Sequence, residues 1–109
     1  MAKFLAIYTG QPGAGGPPDP ATIAKGMQAW TDWMSRHASQ VVEGGGPLGK
    51  TKRVTKAGVA DAQNTMAGYV IVEADDHAAA AKMFEGHPHF AIFPGDGVDV
   101  MPVMPIPGA

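Results

Sequence analysis

The stretch MAGYVIVEADDHAAAAKM, residues 66–83, carries the clearest structural pattern in the chain. Its first half, residues 66–74, is a continuous apolar run, which is typical of a strand near the centre of a sheet. Its second half is rich in alanine and begins with two aspartates, either of which can cap a helix. A glycine and a proline follow, as they do where helices end. We therefore predict a central strand followed by a helix over residues 75–88.

Three more strands and one more helix are predicted around this stretch. The three strands are predicted from segments that are apolar or alternate between apolar and polar residues, and that border a glycine or proline. These segments are KFLAIYTG (3–10), KTKRVTKAG (50–58) and GDGVDVMPV (95–103). Pro102 cannot donate a ladder hydrogen bond, so the last strand lies at an edge or ends there. The helix PATIAKGMQAWTDWMSRHAS starts at a capping aspartate followed by proline. Its apolar residues recur every three or four positions, at Ile23, Met27, Trp30, Met34 and Ala38.

The resulting order is strand, helix, strand, strand, helix, strand. It predicts one α+β domain over residues 1–109 with the ferredoxin-like βαββαβ arrangement, an antiparallel sheet carrying two helices on one face. Both alternations of the strands are apolar, as Leu5, Ile7, Val70 and Val72 illustrate. The tail VMPVMPIPGA is apolar too. Both features favour a homodimer that buries sheet against sheet, with the tail reaching the partner.

Composition excludes several classes of protein. The 109 residues carry a net charge of −2 and only one basic cluster, KTKR at residues 50–53, so nucleic-acid binding is not expected. No cysteine is present, which excludes disulfides, thiolate metal sites and cysteine nucleophiles. No segment has the length or apolar character of a signal peptide or a membrane span. We expect a soluble, cytoplasmic protein without a membrane partner.

The segment GGGPLGKT, residues 44–51, fits the phosphate-binding pattern G-x-x-x-x-G-K-[ST]. A phosphate-binding loop leaves a strand and opens a helix, whose N-terminus faces the phosphates. Here the segment follows a helix and precedes β-branched residues, and Pro47 removes one backbone donor. We therefore interpret it as a glycine-rich connection between a helix and a strand, and residues 59–65 as a turn.

Four side chains are candidates for acid–base chemistry. His87 and His89 flank a proline in GHPHF and could move protons or bind a metal. A metal needs a third ligand, and the alternative is that His87 caps a helix C-terminus while His89 lines a loop. His37 lies one turn after Trp33 and is either a general base or a partly exposed structural residue. Asp99 lies between valines, where a carboxylate needs a partner, although an edge strand or a subunit salt bridge explains it equally well.

Aromatic residues are the candidates for binding a ligand. Trp30 and Trp33 could wall a pocket for a flat or apolar molecule, with Tyr69 as a third contact, although Trp30 also fits a plain core position. The sequence contains no Ser-His-Asp pattern, no paired-carboxylate motif and no metal signature, so we predict neither a metal nor a cofactor.

The order of these segments resembles the YCII-related, or DGPF-domain, family. The resemblance rests on KFLAIYTG, AWTDW, GGGPL, GYVIVEADDHAAAAKM and VDVMPV, and it spans nearly the whole chain. It implies a ferredoxin-like fold that pairs into a dimeric α+β barrel. Some family members resemble small-molecule enzymes with a His–Asp pair proposed as catalytic, and others are associated with extracytoplasmic-function sigma factors.

This sequence departs from the family pattern at two places. The Asp-Gly-Pro-Phe signature is replaced by VADAQNTMAG, in which Asp61 is its remnant. The enzyme-like members have a histidine early in the first helix, and here Trp30 stands near that position. The HPHF loop and Asp99 do match. Our leading hypothesis is a homodimer that binds an unknown small molecule between helices and sheet, with acid–base chemistry from the histidines and Asp99. The alternative is a non-catalytic interaction or regulatory module, for example one linked to a sigma factor.

Overall fold

The computed structural model describes residues 1–11 and 16–108. The elements are β1 Ala2–Thr9, α1 Pro20–Arg36, β2 Val41–Pro47, β3 Thr51–Thr55, β4 Gly58–Ala62, β5 Met66–Ala74, α2 His77–Lys82, α3 Pro88–Ala91 and β6 Gly97–Pro102. Four strands form an antiparallel sheet in the order β2-β5-β1-β6, and β3 and β4 form a separate hairpin. This is the ferredoxin-like order with a hairpin inserted before the third sheet strand, which confirms the predicted α+β class.

The helices cover one face of this sheet. Along β1 and β5 every second residue points toward them and is buried, because side chains alternate across a strand. The core consists of Phe4, Ala6, Tyr8, Trp33, Val70, Val72, Ala74, Ala80, Met83 and Phe84. Trp33 ties α1 to the segment after α2, since its indole Nε1–H donates to the Met83 carbonyl over 2.8 Å inside the core.

Helix α1 presents only part of the predicted stripe to the core. Asp19 caps it as expected, accepting from the Thr22 backbone N–H at 2.7 Å. Trp30 and Met34 of the stripe pack against the core, whereas Ile23 and Met27 are exposed and the fully buried residues are Gly26 and Trp33. The helix approaches its neighbours closely at Gly26, because the ring of Phe93 lies where a side chain would be.

The second sheet strand is the segment predicted as a connection. Residues 41–47 pair with β5, with register shifts after Val41 and Glu43. Gly45 has a φ of 65°, and a Cβ there would lie 1.9 Å from the Tyr69 carbonyl oxygen. Glycine therefore permits an irregular edge strand where any side chain would clash. The predicted connection was wrong at these residues, although the GKT residues do lead into a strand and not into a helix.

The predicted strand at residues 50–58 is also placed differently. Its residues 51–55 pair with residues 58–62, which had been predicted as a turn, and neither strand joins the main sheet. Gly58, with a φ of 113°, makes the tight turn between them. The hairpin leaves Val54 and Val59 largely exposed.

The second helix is shorter than predicted. Asp76 caps α2, which ends at Lys82, and a separate turn of helix, α3, starts at Pro88. Gly86 has a φ of 68°, a left-handed conformation that breaks the helical path between them. Strand β6 behaves as predicted, since it is an edge strand and ends at Pro102.

Candidate functional site

A cavity of about 330 Å³ lies between α1, the glycine-rich part of β2, the start of β5 and the segment after α3. Among residues 1–11 and 16–108, its wall contains aromatic rings, glycines and one histidine, with no carboxylate or amine side chain. The lining residues are Tyr8, Met27, Trp30, Gly44, Gly46, Pro47, Ala67, Gly68, Tyr69, His89 and Phe93. The size and apolar character of this cavity suit a small molecule.

Glycines allow the rings of the cavity to approach the backbone. Phe93 docks against Gly26 of α1, where a Cβ would be 2.3 Å from its ring. The Tyr8 ring lies close to Gly68, at 3.2 Å from the position of a Cβ there. Tyr8 and Trp30 meet edge to face with ring centroids 4.9 Å apart. Large side chains thus frame the cavity and glycines make room for them.

His89 is held by two contacts that leave one ring nitrogen free. Its Nε2–H donates to the Thr9 carbonyl oxygen over 2.7 Å, because a carbonyl can only accept. Gly95 lies beneath the ring, and a Cβ there would be 2.3 Å from Nε2. In the part of the chain that the structure describes, Nδ1 has no hydrogen-bond partner. The neutral ring therefore offers Nδ1 as a proton acceptor.

His87 has a supporting position behind His89. It is only 1% exposed, and its Nδ1 accepts from the His89 backbone N–H at 3.0 Å. The neutral ring then carries its proton on Nε2, which has no hydrogen-bond partner among residues 1–11 and 16–108. Burial, and next the nearby His89 and His37, lower the pKa of His87 to about 4. His87 is neutral near pH 7 and caps α3, not the C-terminus of the preceding helix as the alternative interpretation had it.

Tyr8 adds a hydroxyl group to the cavity wall. Its ring lies 5.3 Å from that of His89 between centroids. Burial raises the pKa of Tyr8 to about 12, so the phenol stays protonated at physiological pH. A protonated phenol can donate a hydrogen bond while the neutral imidazole accepts one, and both groups border the same cavity.

The predicted site residues fall into two groups. The first group is a chain of ring contacts formed by His87, His89, Trp30, Trp33 and His37. Within it, the ring centroid of Trp33 lies 4.9 Å from that of His87 and 4.6 Å from that of His37. Of these five residues, Trp30 and His89 border the cavity. Trp33 is a core residue that does not line it.

The second group consists of Asp99 and Tyr69, which lie outside this chain of ring contacts. Asp99 pairs with Ile7 in the register of β1 and β6, on the sheet face opposite the helices, and it is exposed. The structure therefore does not bring Asp99 to the two histidines within this chain. Tyr69 contributes to the cavity wall, and its hydroxyl donates to Glu43 at 2.8 Å. That hydrogen bond raises the pKa of Tyr69.

Sequence reasoning missed Tyr8, Phe93 and the glycines that accommodate them. The alternation of KFLAIYTG does place Tyr8 on the same face as Phe4, which is a usable signal. Nothing local marks Gly26 as the docking point for Phe93. Within the described residues, no group of three or more histidine and acidic side chains is arranged to hold a metal ion. In the same part of the chain, no helix combines the length and the hydropathy needed to cross a membrane.

The fold has a counterpart among solved structures. The 5-chloro-2-hydroxyhydroquinone dehydrochlorinase TftG from Burkholderia phenoliruptrix AC1100, in complex with 2,5-dihydroxybenzoquinone, aligns with a TM-score of 0.57. The two chains are 16% identical, and the alignment covers 91% of this chain and 90% of that chain. At this identity the likeness shows a shared fold alone. No protein-family model matches the chain, and no curated protein matches its sequence.

Proposed function

We propose that the protein binds a small, flat, largely apolar molecule in the cavity beside Trp30 and that His89 exchanges a proton with it. The observation that carries this proposal is the orientation of His89. Its Nε2–H is engaged by the Thr9 carbonyl, so the free Nδ1 is the atom left to meet a ligand. Imidazole is the commonest general base in enzymes, and a positioned base inside an apolar cavity suits proton transfer.

The remaining groups have supporting parts in this proposal. The Tyr8 hydroxyl donates a hydrogen bond to an oxygen of the ligand, because its raised pKa keeps it protonated. Trp30 offers an aromatic wall for stacking. His87 holds the backbone of His89 through their hydrogen bond and stays neutral, so it adds no repelling charge when His89 takes a proton.

Two resemblances support this proposal independently of the cavity. The sequence pattern resembles the YCII-related family, some of whose members resemble small-molecule enzymes, and we propose that the chain belongs to it. TftG shares the fold and was solved with 2,5-dihydroxybenzoquinone, a flat ring molecule with oxygen substituents. Ring oxygens are groups with which a tyrosine hydroxyl and an imidazole can form hydrogen bonds.

The test is calorimetric titration of the protein with resorcinol, a flat ring that is uncharged at neutral pH and carries two hydroxyls, preceded by native mass spectrometry for any retained ligand. We expect His89→Ala to weaken binding by about tenfold, the usual effect of losing one hydrogen bond in an apolar site. His77→Ala is the matched control. The His77 Nε2 also bonds a strand carbonyl, that of Val100 at 2.7 Å, but His77 does not border this cavity. Equal binding by both variants would remove His89 from the site, and no binding by the wild type would favour the non-catalytic interaction module.

We also propose that two copies pair through the open face of the sheet to form a dimeric α+β barrel. Leu5, Ile7 and Ile71 lie half-buried on that face, and the tail residues Met104 and Ile106 are 71% and 76% exposed. An apolar face of this kind gains stability when a second copy covers it. A second sheet is the natural cover, because its strands present the same side-chain spacing.

Light scattering after size-exclusion chromatography tests the dimer. Ile7→Asp should convert dimers to monomers, because burying an unpaired carboxylate between the sheets is unfavourable. Ala24→Asp, on the exposed side of α1, should leave the dimer intact. A monomeric wild type at micromolar concentration would rule the barrel out.

A further inference from the structure

A second, larger cavity adjoins the first at His89. It has a volume of about 970 Å³ and lies between the base of the β3–β4 hairpin and the loop at residues 94–95. The two cavities share Ala67, His89 and Phe93 in their walls. His89 thus lies where a small apolar cavity meets a wider cleft.

The chemical character changes across that boundary. The small cavity has no amine or carboxylate in its wall, whereas Lys50, Lys52 and Asp61 line the larger cleft. Lys52 and Asp61 form a salt bridge with each other. Lys50 has no salt bridge within the described residues, so the cleft carries one uncompensated positive charge.

The other described residues of the cleft wall add polarity without charge. Both polar atoms of the Asn64 side chain form hydrogen bonds, since its amide donates to the Thr51 hydroxyl at 3.0 Å and its oxygen accepts from the Met66 backbone N–H at 2.9 Å. These bonds fix the start of β3 beside Lys50. The residue next to Lys50 is therefore anchored, and Lys50 itself is exposed and lines the cleft.

Taking the proposed ligand site as given, we infer that the ligand has two parts: a flat apolar ring beside Trp30 and an anionic arm, such as a carboxylate, that reaches Lys50. The ring occupies the small cavity and the arm passes His89 into the cleft. A cationic arm is disfavoured, because Asp61 is already neutralised by Lys52. The GKT residues that resembled a phosphate-binding loop acquire a function in this way, with Lys50 acting as a single charge and not as part of a helix-opening loop.

The experiment compares two matched probes by calorimetry, 4-hydroxycinnamate and its uncharged methyl ester. We expect the acid to bind more tightly than the ester, and more salt to reduce the difference. Lys50→Gln should weaken binding of the acid about three- to fivefold, the range for one partly exposed ion pair, and leave the ester unchanged. Lys56→Gln, in the hairpin turn outside both cavities, is the control and should change neither probe.

A second variant tests the same idea in the opposite direction. Asp61→Asn releases Lys52 from its salt bridge and should strengthen binding of the acid by a similar factor. If both probes bind but the acid has no advantage, or if Lys50→Gln weakens both probes equally, the anionic arm is overturned and the proposed cavity site stands. If neither probe binds, the proposed site itself fails.

Discussion

The two faces of the main sheet are built from the same strands but are used differently. On β1, Phe4 and Tyr8 enter the helix-covered core, while Leu5 and Ile7 between them lie on the open face. Behind the covered face lie Trp30, Trp33, His87, His89 and a cavity, whereas the open face has aliphatic side chains and the exposed Asp99. The groups of the proposed site therefore lie on one face, and the other face carries the apolar surface on which the proposed dimer depends.

The largest effect on stability is expected from removing a core side chain on the covered face. Trp33→Ala should lower the free energy of unfolding by about 3–5 kcal/mol, because it removes a fully buried ring and leaves the Met83 carbonyl without its donor. Urea denaturation followed by circular dichroism measures this. Trp30→Ala is the comparison and should cost less, since Trp30 is only partly buried. A loss below about 1 kcal/mol for Trp33→Ala would contradict the description of this face as the core.

A middle-sized effect is expected from pH. The folded-state pKa of His87 is lowered to about 4 from the ordinary value of 6.5, so its contribution to stability is complete above pH 6.5 and is lost as the pH falls toward 4. We expect the wild type to lose about 2 kcal/mol from this residue between pH 7 and pH 4.5. His87→Asn keeps an acceptor for the His89 backbone N–H but does not titrate, so its stability should depend less on pH. Equal pH dependence in the two proteins would show that His87 is not the group responsible.

The smallest effect is expected on the open face. In the isolated monomer, Asp99→Asn should change the free energy of unfolding by no more than about 0.5 kcal/mol, because there the carboxylate is exposed and has no hydrogen bond or salt bridge in the described part of the chain. Ligand binding should be unchanged, since Asp99 is not in the wall of either cavity. Loss of binding in this variant would mean that the open face contributes to the site, which would abolish the distinction between the faces.

Local patterns predicted the regular parts of this protein well. The run at residues 66–74 is the strand β5, and Asp19 and Asp76 cap helices, because apolar periodicity and capping depend on near neighbours in the chain. The glycine segment at residues 44–46 had no such signal. It is a sheet strand because it pairs with β5. Glycine is needed at position 45, because the Tyr69 carbonyl oxygen occupies the space where a Cβ of that residue would be.

The candidate site follows the same division. The histidines of GHPHF and Trp30 stand out as reactive or aromatic residue types, and both His89 and Trp30 do border the cavity. Asp99 stands out equally, yet the register of β6 places it on the other face. A single residue of register reverses the direction of a side chain, and register is set by pairing with β1, not by the residues around Asp99.

The sequence by itself determined the fold class, the helix caps and the central strand, because each follows from interactions within a few residues. Tertiary structure alone decided which segment became the second sheet strand and which side chains surround the cavity. The reason is that Gly26, Gly68 and Gly95 act through what approaches them, namely Phe93, Tyr8 and His89, and for Gly26 and Gly68 that partner comes from a distant part of the chain. A glycine's missing side chain has meaning only once the neighbour that occupies its space is known.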